Sequence, residues 1–96
     1  MAIAELKDVP QGRVEFMLKR YLLEMFGNVA DNGDGQFIVK SEVDGEEFVG
    51  QAMRKLRELH SGLVVPDEFC TDEQKTFSFT GLCGNAPTWS VIVIFQ

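Results

Sequence analysis

Ninety-six residues with 45% hydrophobic and 25% charged content describe one ordinary globular domain, 1–96, with a single core and little surplus of buried surface. A net charge of −6 repels phosphate backbones and anionic lipid headgroups, and the longest basic cluster, Arg54-Lys55-Arg57, is followed at once by Glu58, so direct nucleic-acid binding is disfavoured. The opening Met1–Asp8 has neither a basic lead nor a long apolar core, no segment is long enough for a membrane span, and Cys70 and Cys83 are too few for a disulfide framework; a cytoplasmic protein with free thiols is expected.

The first element is a helix beginning near Asp8. Asp8 with Gln11 resembles a capping box, Pro10 suits the first turn, and Val14, Met17, Leu18, Tyr21, Leu22 and Met25 recur at helical spacing until Gly27 stops the run. Phe16, Leu23 and Phe26 widen the apolar stripe, so this helix is expected to be covered on more than one side or to meet another chain.

The segment from Asn28 to Gly35 reads as a turn-rich loop. Setting Gly35 at the sixth position of a calcium loop puts Ala30 at the first ligand position and Ser41 at the twelfth. The two ligands that matter most are therefore missing, and a hairpin-like or helix-to-strand turn is the better reading. Phe37–Val43 follows as a half-buried strand, with Phe37 and Val39 on one face and Ile38 and Lys40 on the other. Asp44 then caps a second helix whose start carries Glu46 and Glu47. Its stripe is Phe48, Val49, Ala52, Met53, Leu56 and Leu59, and Ser61-Gly62 ends it.

Leu63-Val64-Val65 is a possible short strand stopped by Pro66, followed by an acidic loop through Asp67, Glu68, Asp72 and Glu73. Lys75–Thr80 alternates cleanly, Phe77 and Phe79 against Thr76, Ser78 and Thr80, as a strand with one wet face. A link of Gly81–Pro87 joins it to Trp89–Phe95, an apolar run that reads as a strand covered from two sides, and an antiparallel hairpin is the simplest pairing.

The expected fold is α+β: two amphipathic helices on a small, mainly antiparallel sheet of three to four strands, in the order α-β-α-β-β. Such a sheet cannot hide both sides of its last strand. Either a second copy or a partner covers the outer side, or the first helix packs there and closes a three-layer unit. The succession of elements is superficially that of a double-stranded RNA-binding domain, but the strand order differs and the second helix lacks a lysine-rich start.

No catalytic, metal or cofactor constellation emerges. His60 sits at a helix end, where an imidazolium suits the dipole, and neither Cys70 nor Cys83 lies in a nucleophile or paired-ligand signature. The leading expectation is a non-enzymatic domain that self-associates or docks on a protein partner, in one form as an inhibitor or adaptor of a nucleic-acid-binding protein, with carboxylates standing in for phosphates. The candidate partner-binding residues are Glu46, Glu47, Asp67, Glu68, Asp72, Glu73, Phe16, Leu23 and Trp89. The alternatives are a small-molecule module with a pocket lined by Tyr21, Met25, Phe37 and Trp89, and a structural subunit of a larger assembly such as a phage particle.

Overall fold

The computed structural model describes residues 9–96, which form two helices over one face of a five-stranded mixed sheet. The elements are α1 (Gln11–Phe26), β1 (Val29–Gly33), β2 (Gln36–Val39), α2 (Gly45–Leu59), β3 (Leu63–Cys70), β4 (Lys75–Cys83) and β5 (Ala86–Phe95). The sheet order is β1-β2-β5-β4-β3. The expected α+β class holds, but the sheet has five strands, and β2 runs parallel to β5 where every other pairing is antiparallel.

Both extra strands come from segments read as loop. Asp34 and Gly35 both have positive φ, 52° and 76°, as a two-residue hairpin turn with the right twist requires, so Val29–Gly33 folds back on β2. The acidic loop after Pro66 is strand as far as Cys70. Pro66 does not stop β3 because β3 is an edge strand, where one missing N–H donor leaves no ladder bond unmade.

The helices end as their sequences dictate. Gly27 adopts a left-handed φ of 76° and its N–H bonds the Leu23 carbonyl, and the Asp44 carboxylate accepts from the Glu47 N–H at 3.2 Å. At the other end of α1, Pro10 occupies the cap without a side-chain bond, and the expected partner Asp8 lies outside the described residues. Gln11 instead reaches across to β5. Its side-chain amide donates to the Ser90 carbonyl at 2.7 Å and accepts from the Ser90 N–H at 2.8 Å. β2 pairs with β5 no further than Ile92, so Gln11 extends the ladder where the neighbouring strand has run out. Gln11→Ala should therefore destabilise the domain by about 1–2 kcal/mol, read as a lowered urea midpoint in Trp89 fluorescence.

Val14, Leu18 and Leu22 of α1 and Phe48, Ala52 and Leu56 of α2 are buried against Phe37, Val39, Phe77, Phe79, Val91, Val93 and Phe95. Phe48 is the hub: its ring centroid lies 5.0 Å from Phe95, 5.1 Å from Phe77, 6.1 Å from Phe79 and 6.3 Å from Phe26. Phe26 joins this cluster, while Met25, expected in the stripe, is 40% exposed.

Because Phe48 of α2 and Phe26 of α1 both touch Phe95, the two helices share one side of the sheet. The three-layer alternative is thereby overturned. Within the chain β5 is covered from one side: Trp89, Val91, Val93 and Phe95 are buried under the helices, whereas Ile92 and Ile94 point away from them. Nor is α1 covered on a second side among the described residues, since Phe16 and Leu23 stand 68% and 42% exposed.

Candidate functional site

Register assigns the outer sheet face residue by residue. Ala30 of β1 lies beside Ile38 of β2, which lies beside Ile94 of β5, then Thr76 of β4 and Phe69 of β3. One step along the strands, Gln36, Ile92, Ser78 and Asp67 form the next row, and Ser90, Thr80 and Val65 the third. Ile38, Ile92, Ile94, Thr76, Ser78 and Thr80 are partly exposed; Phe69, Val65 and Leu63 are 54%, 39% and 56% exposed. Among these paired outward positions Asp67 is the one ionised side chain, and it stands at the margin on β3.

This surface departs from the rest of the chain, a quarter of which is charged. A solvated face normally carries charge, whereas the centre of a protein interface is depleted of it. β-Branched and hydroxyl side chains on a pleated surface also suit packing against a second sheet.

The carboxylates gather elsewhere. The ends of β2, β4 and β5 converge where Lys75 is paired with both Cys70 and Phe95 and its ammonium donates to the Val43 carbonyl at 3.4 Å. Glu42, Asp72 and Glu73 line one open hollow of about 330 Å³ there, together with Lys75. The Glu68 carboxylate lies over Gly45 at the start of α2, next to the Asp44 cap, Glu46 and Glu47. Five of the six acids singled out in the sequence, Glu46, Glu47, Glu68, Asp72 and Glu73, thus form one acidic pole, and Asp67 stands apart on the outer face of β3.

The remaining candidates separate. Phe16 and Leu23 are two turns apart on the exposed side of α1, remote from the outer sheet face because α1 covers the opposite one. Trp89 is 3% exposed and belongs to the core, with its ring edge-on to His60 at 5.7 Å, so it is not available to a partner. His60 stands at the end of α2, where the sequence placed it, but is 1% exposed, with Nε2 3.4 Å from the Thr88 hydroxyl. The four residues of the imagined pocket do not meet around an opening, for Phe37 and Trp89 are sealed in the core and Met25 lies at the acidic pole beside Phe26 and Glu42.

Among the described residues no cluster of three or more His, Cys, Asp or Glu side chains is placed to hold a metal, and no helix is long and apolar enough to cross a membrane. Cys70 and Cys83 sit at opposite ends of the β3–β4 ladder, about 26 Å apart at ~3.3 Å per residue. Local desolvation and the Glu68 carboxylate, to which the thiol donates at 3.5 Å, hold Cys70 above the usual thiol range, the opposite of an activated nucleophile.

Burial also raises the phenol of Tyr21 above the ordinary value of 10.0, with Arg54 pulling the other way. The fold favours the neutral phenol, so its contribution to stability is fully present below pH 10 and is lost as pH rises through the native value. Tyr21 is the chain's single tyrosine, so ultraviolet absorbance follows it cleanly. The titration midpoint should lie above 10.0 in the native protein and return to about 10 in urea.

Comparison with protein-family models, curated proteins and solved structures finds no match for this chain.

Proposed function

We propose that this protein is a non-enzymatic interaction domain that docks on protein through the outer face of its sheet. The observation that carries this reading is the composition of that face: apolar and hydroxyl side chains with the Gln36 amide across the five strands, on a chain of net charge −6, with one acid at its margin. A face of that kind left in water is a standing liability, and a bound protein removes it.

The acidic pole supplies selectivity. A basic surface approaching Glu46, Glu47, Glu68, Asp72 and Glu73 is accelerated and oriented, while nucleic acid and other acidic proteins are turned away. Proteins that bind nucleic acid present such basic surfaces, and an inhibitor or adaptor role would use these carboxylates in place of phosphates.

A photo-crosslinking residue placed at Ser78, in the middle of the outer face, tests the reading in cells that make the protein. Protein adducts are expected there and not at Glu58, which lies on the exposed side of α2. An adduct yield at Ser78 no greater than at Glu58 would dispose of the interface.

A further inference from the structure

We infer that Asn32-Gly33, on the hairpin of β1 and β2, is a site of spontaneous backbone modification, where the folded chain converts asparagine to aspartate and isoaspartate. The chemistry needs only the chain and water. The Gly33 amide nitrogen gives its proton to solvent base and attacks Asn32 Cγ; a C–N bond forms, the bond from Cγ to the side-chain nitrogen breaks, and ammonia leaves a cyclic imide behind. Water then opens the ring. Cleavage between Cγ and nitrogen yields aspartate, and cleavage at the main-chain carbonyl yields isoaspartate, whose backbone runs through Cγ. Nothing is oxidised or reduced.

A following glycine favours ring closure, because no Cβ shields its nitrogen and its backbone turns freely. The sequence offers such a glycine after Asn32, Asp34 and Asp44, and the structure separates the three. At Asp44 the carboxylate is held by the Glu47 N–H at 3.2 Å, and Gly45, the first residue of α2, is buried. At Asp34 the attacking nitrogen is held instead: Gly35 is buried, its N–H donates to Glu15 Oε1 at 3.0 Å, and its carbonyl accepts from the Ile92 N–H at 2.8 Å. Both also present a carboxylate, a poorer electrophile than a neutral amide.

Asn32 escapes these restraints. It and Gly33 are exposed, and Asn32 falls in the register slip between Asp31 and Gly33, without a partner on β2. The Gly33 N–H donates to Asp31 Oδ1 at 2.9 Å, a surface bond for which water competes. The other two asparagines precede Val29 and Ala86, whose side chains crowd the attacking nitrogen. The product bears on one edge of the sheet. One added carboxylate takes the net charge from −6 to −7 and sets it between Asp31 and Asp34. Isoaspartate also lengthens the main chain of β1, an edge strand paired only with β2, so this hairpin is where the domain ages first.

The test holds the folded protein in warm, mildly alkaline buffer beside a sample in urea, and follows both by peptide mapping with mass spectrometry and by enzymatic methylation of isoaspartate. In the folded protein the loss of ammonia should arise at Asn32 at least about tenfold faster than at Asn28 or Asn85. The modified form should bind an anion exchanger more tightly, and isoaspartate at positions 34 and 44 should appear only in urea. Asn32→Gln, whose longer side chain closes a ring far less readily, should lose the methylated product while keeping the far-ultraviolet circular dichroism of the parent. An Asn32 that persists in the folded protein while it converts in urea overturns the proposal. So does isoaspartate that forms at Asp34 or Asp44 of the folded chain as fast as at Asn32, or methylation that survives Asn32→Gln.

Discussion

Phe48→Ala should unfold most of the population or leave it at the edge of stability, at a cost of about 3–5 kcal/mol against the ~5–10 kcal/mol that holds a domain of this size together. The reason is position more than size. Phe48 is 1% exposed, stands on the first full turn of α2, and is the ring on which Phe26 from α1, Phe77 and Phe79 from β4 and Phe95 from β5 converge. Removing it opens a void that rigid aromatic neighbours cannot close, because each is itself held by the sheet or by a helix. Chemical denaturation followed through Trp89, the single tryptophan, reads the loss directly. A drop under about 1.5 kcal/mol would mean that the cluster collapses onto the gap and that the hub role is wrong.

Gly62→Ala is the second large effect, at least about 3 kcal/mol, and its origin is a backbone collision. The chain leaving α2 passes so close to the end of β4 that a Cβ at Gly62 would sit on the Leu82 carbonyl oxygen, with the His60 imidazole 2.9 Å away on another side. Neither can yield cheaply: the carbonyl belongs to a ladder strand whose partner, Leu63, is the next residue along, and His60 is wedged against Trp89. Gly50→Ala is the matched control. That glycine lies inside α2 with nothing within 4 Å of a new Cβ, so the substitution should raise stability by about 0.5–1 kcal/mol. Thermal melts of the pair separate the two cases by sign.

Much of this molecule is written in local pattern. The stripe of Val14, Leu18 and Leu22, the left-handed stop at Gly27 and the Asp44 cap are properties of a few consecutive residues, and the structure keeps them where the spacing placed them. The alternation of Phe77 and Phe79 with Thr76, Ser78 and Thr80 likewise survives intact, because a period of two is a backbone property that no tertiary contact can reassign. β1 escaped notice because Asp31, Asn32 and Gly33 are turn formers by composition; the usable signal was Asp34-Gly35, a hairpin dipeptide lying just ahead of Phe37. The continuation of β3 past Pro66 was hidden for a different reason, since a proline is tolerated or not according to whether the strand lies at an edge, and strand order is not a local quantity.

The candidate interface divides in the same way. Part of its membership followed from alternation alone: Ile92 and Ile94 had to face one side and Val91 and Val93 the other, whatever surrounded them, whereas Ala30, Asp67 and Phe69 joined it only through β1 and the continuation of β3. Gathering five of the six acids at one pole needed the parallel pairing of β2 with β5, which brings the start of α2 beside the β3–β4 turn from a distance of some thirty residues along the chain. Burial of Trp89 and His60 likewise depended on α2 ending over β4 and β5.

The sequence by itself determined the helices, the period of each strand and the charge that any partner must tolerate, because these depend on neighbours within one or two turns. Only the tertiary structure decided that both helices lie on one side of the sheet. Each helix has a single wide stripe that would satisfy either face of β5, and the choice is made by Phe48, which can meet Phe26, Phe77 and Phe95 at once only if α1 and α2 share a side. That choice leaves Ile38, Ile92 and Ile94 uncovered.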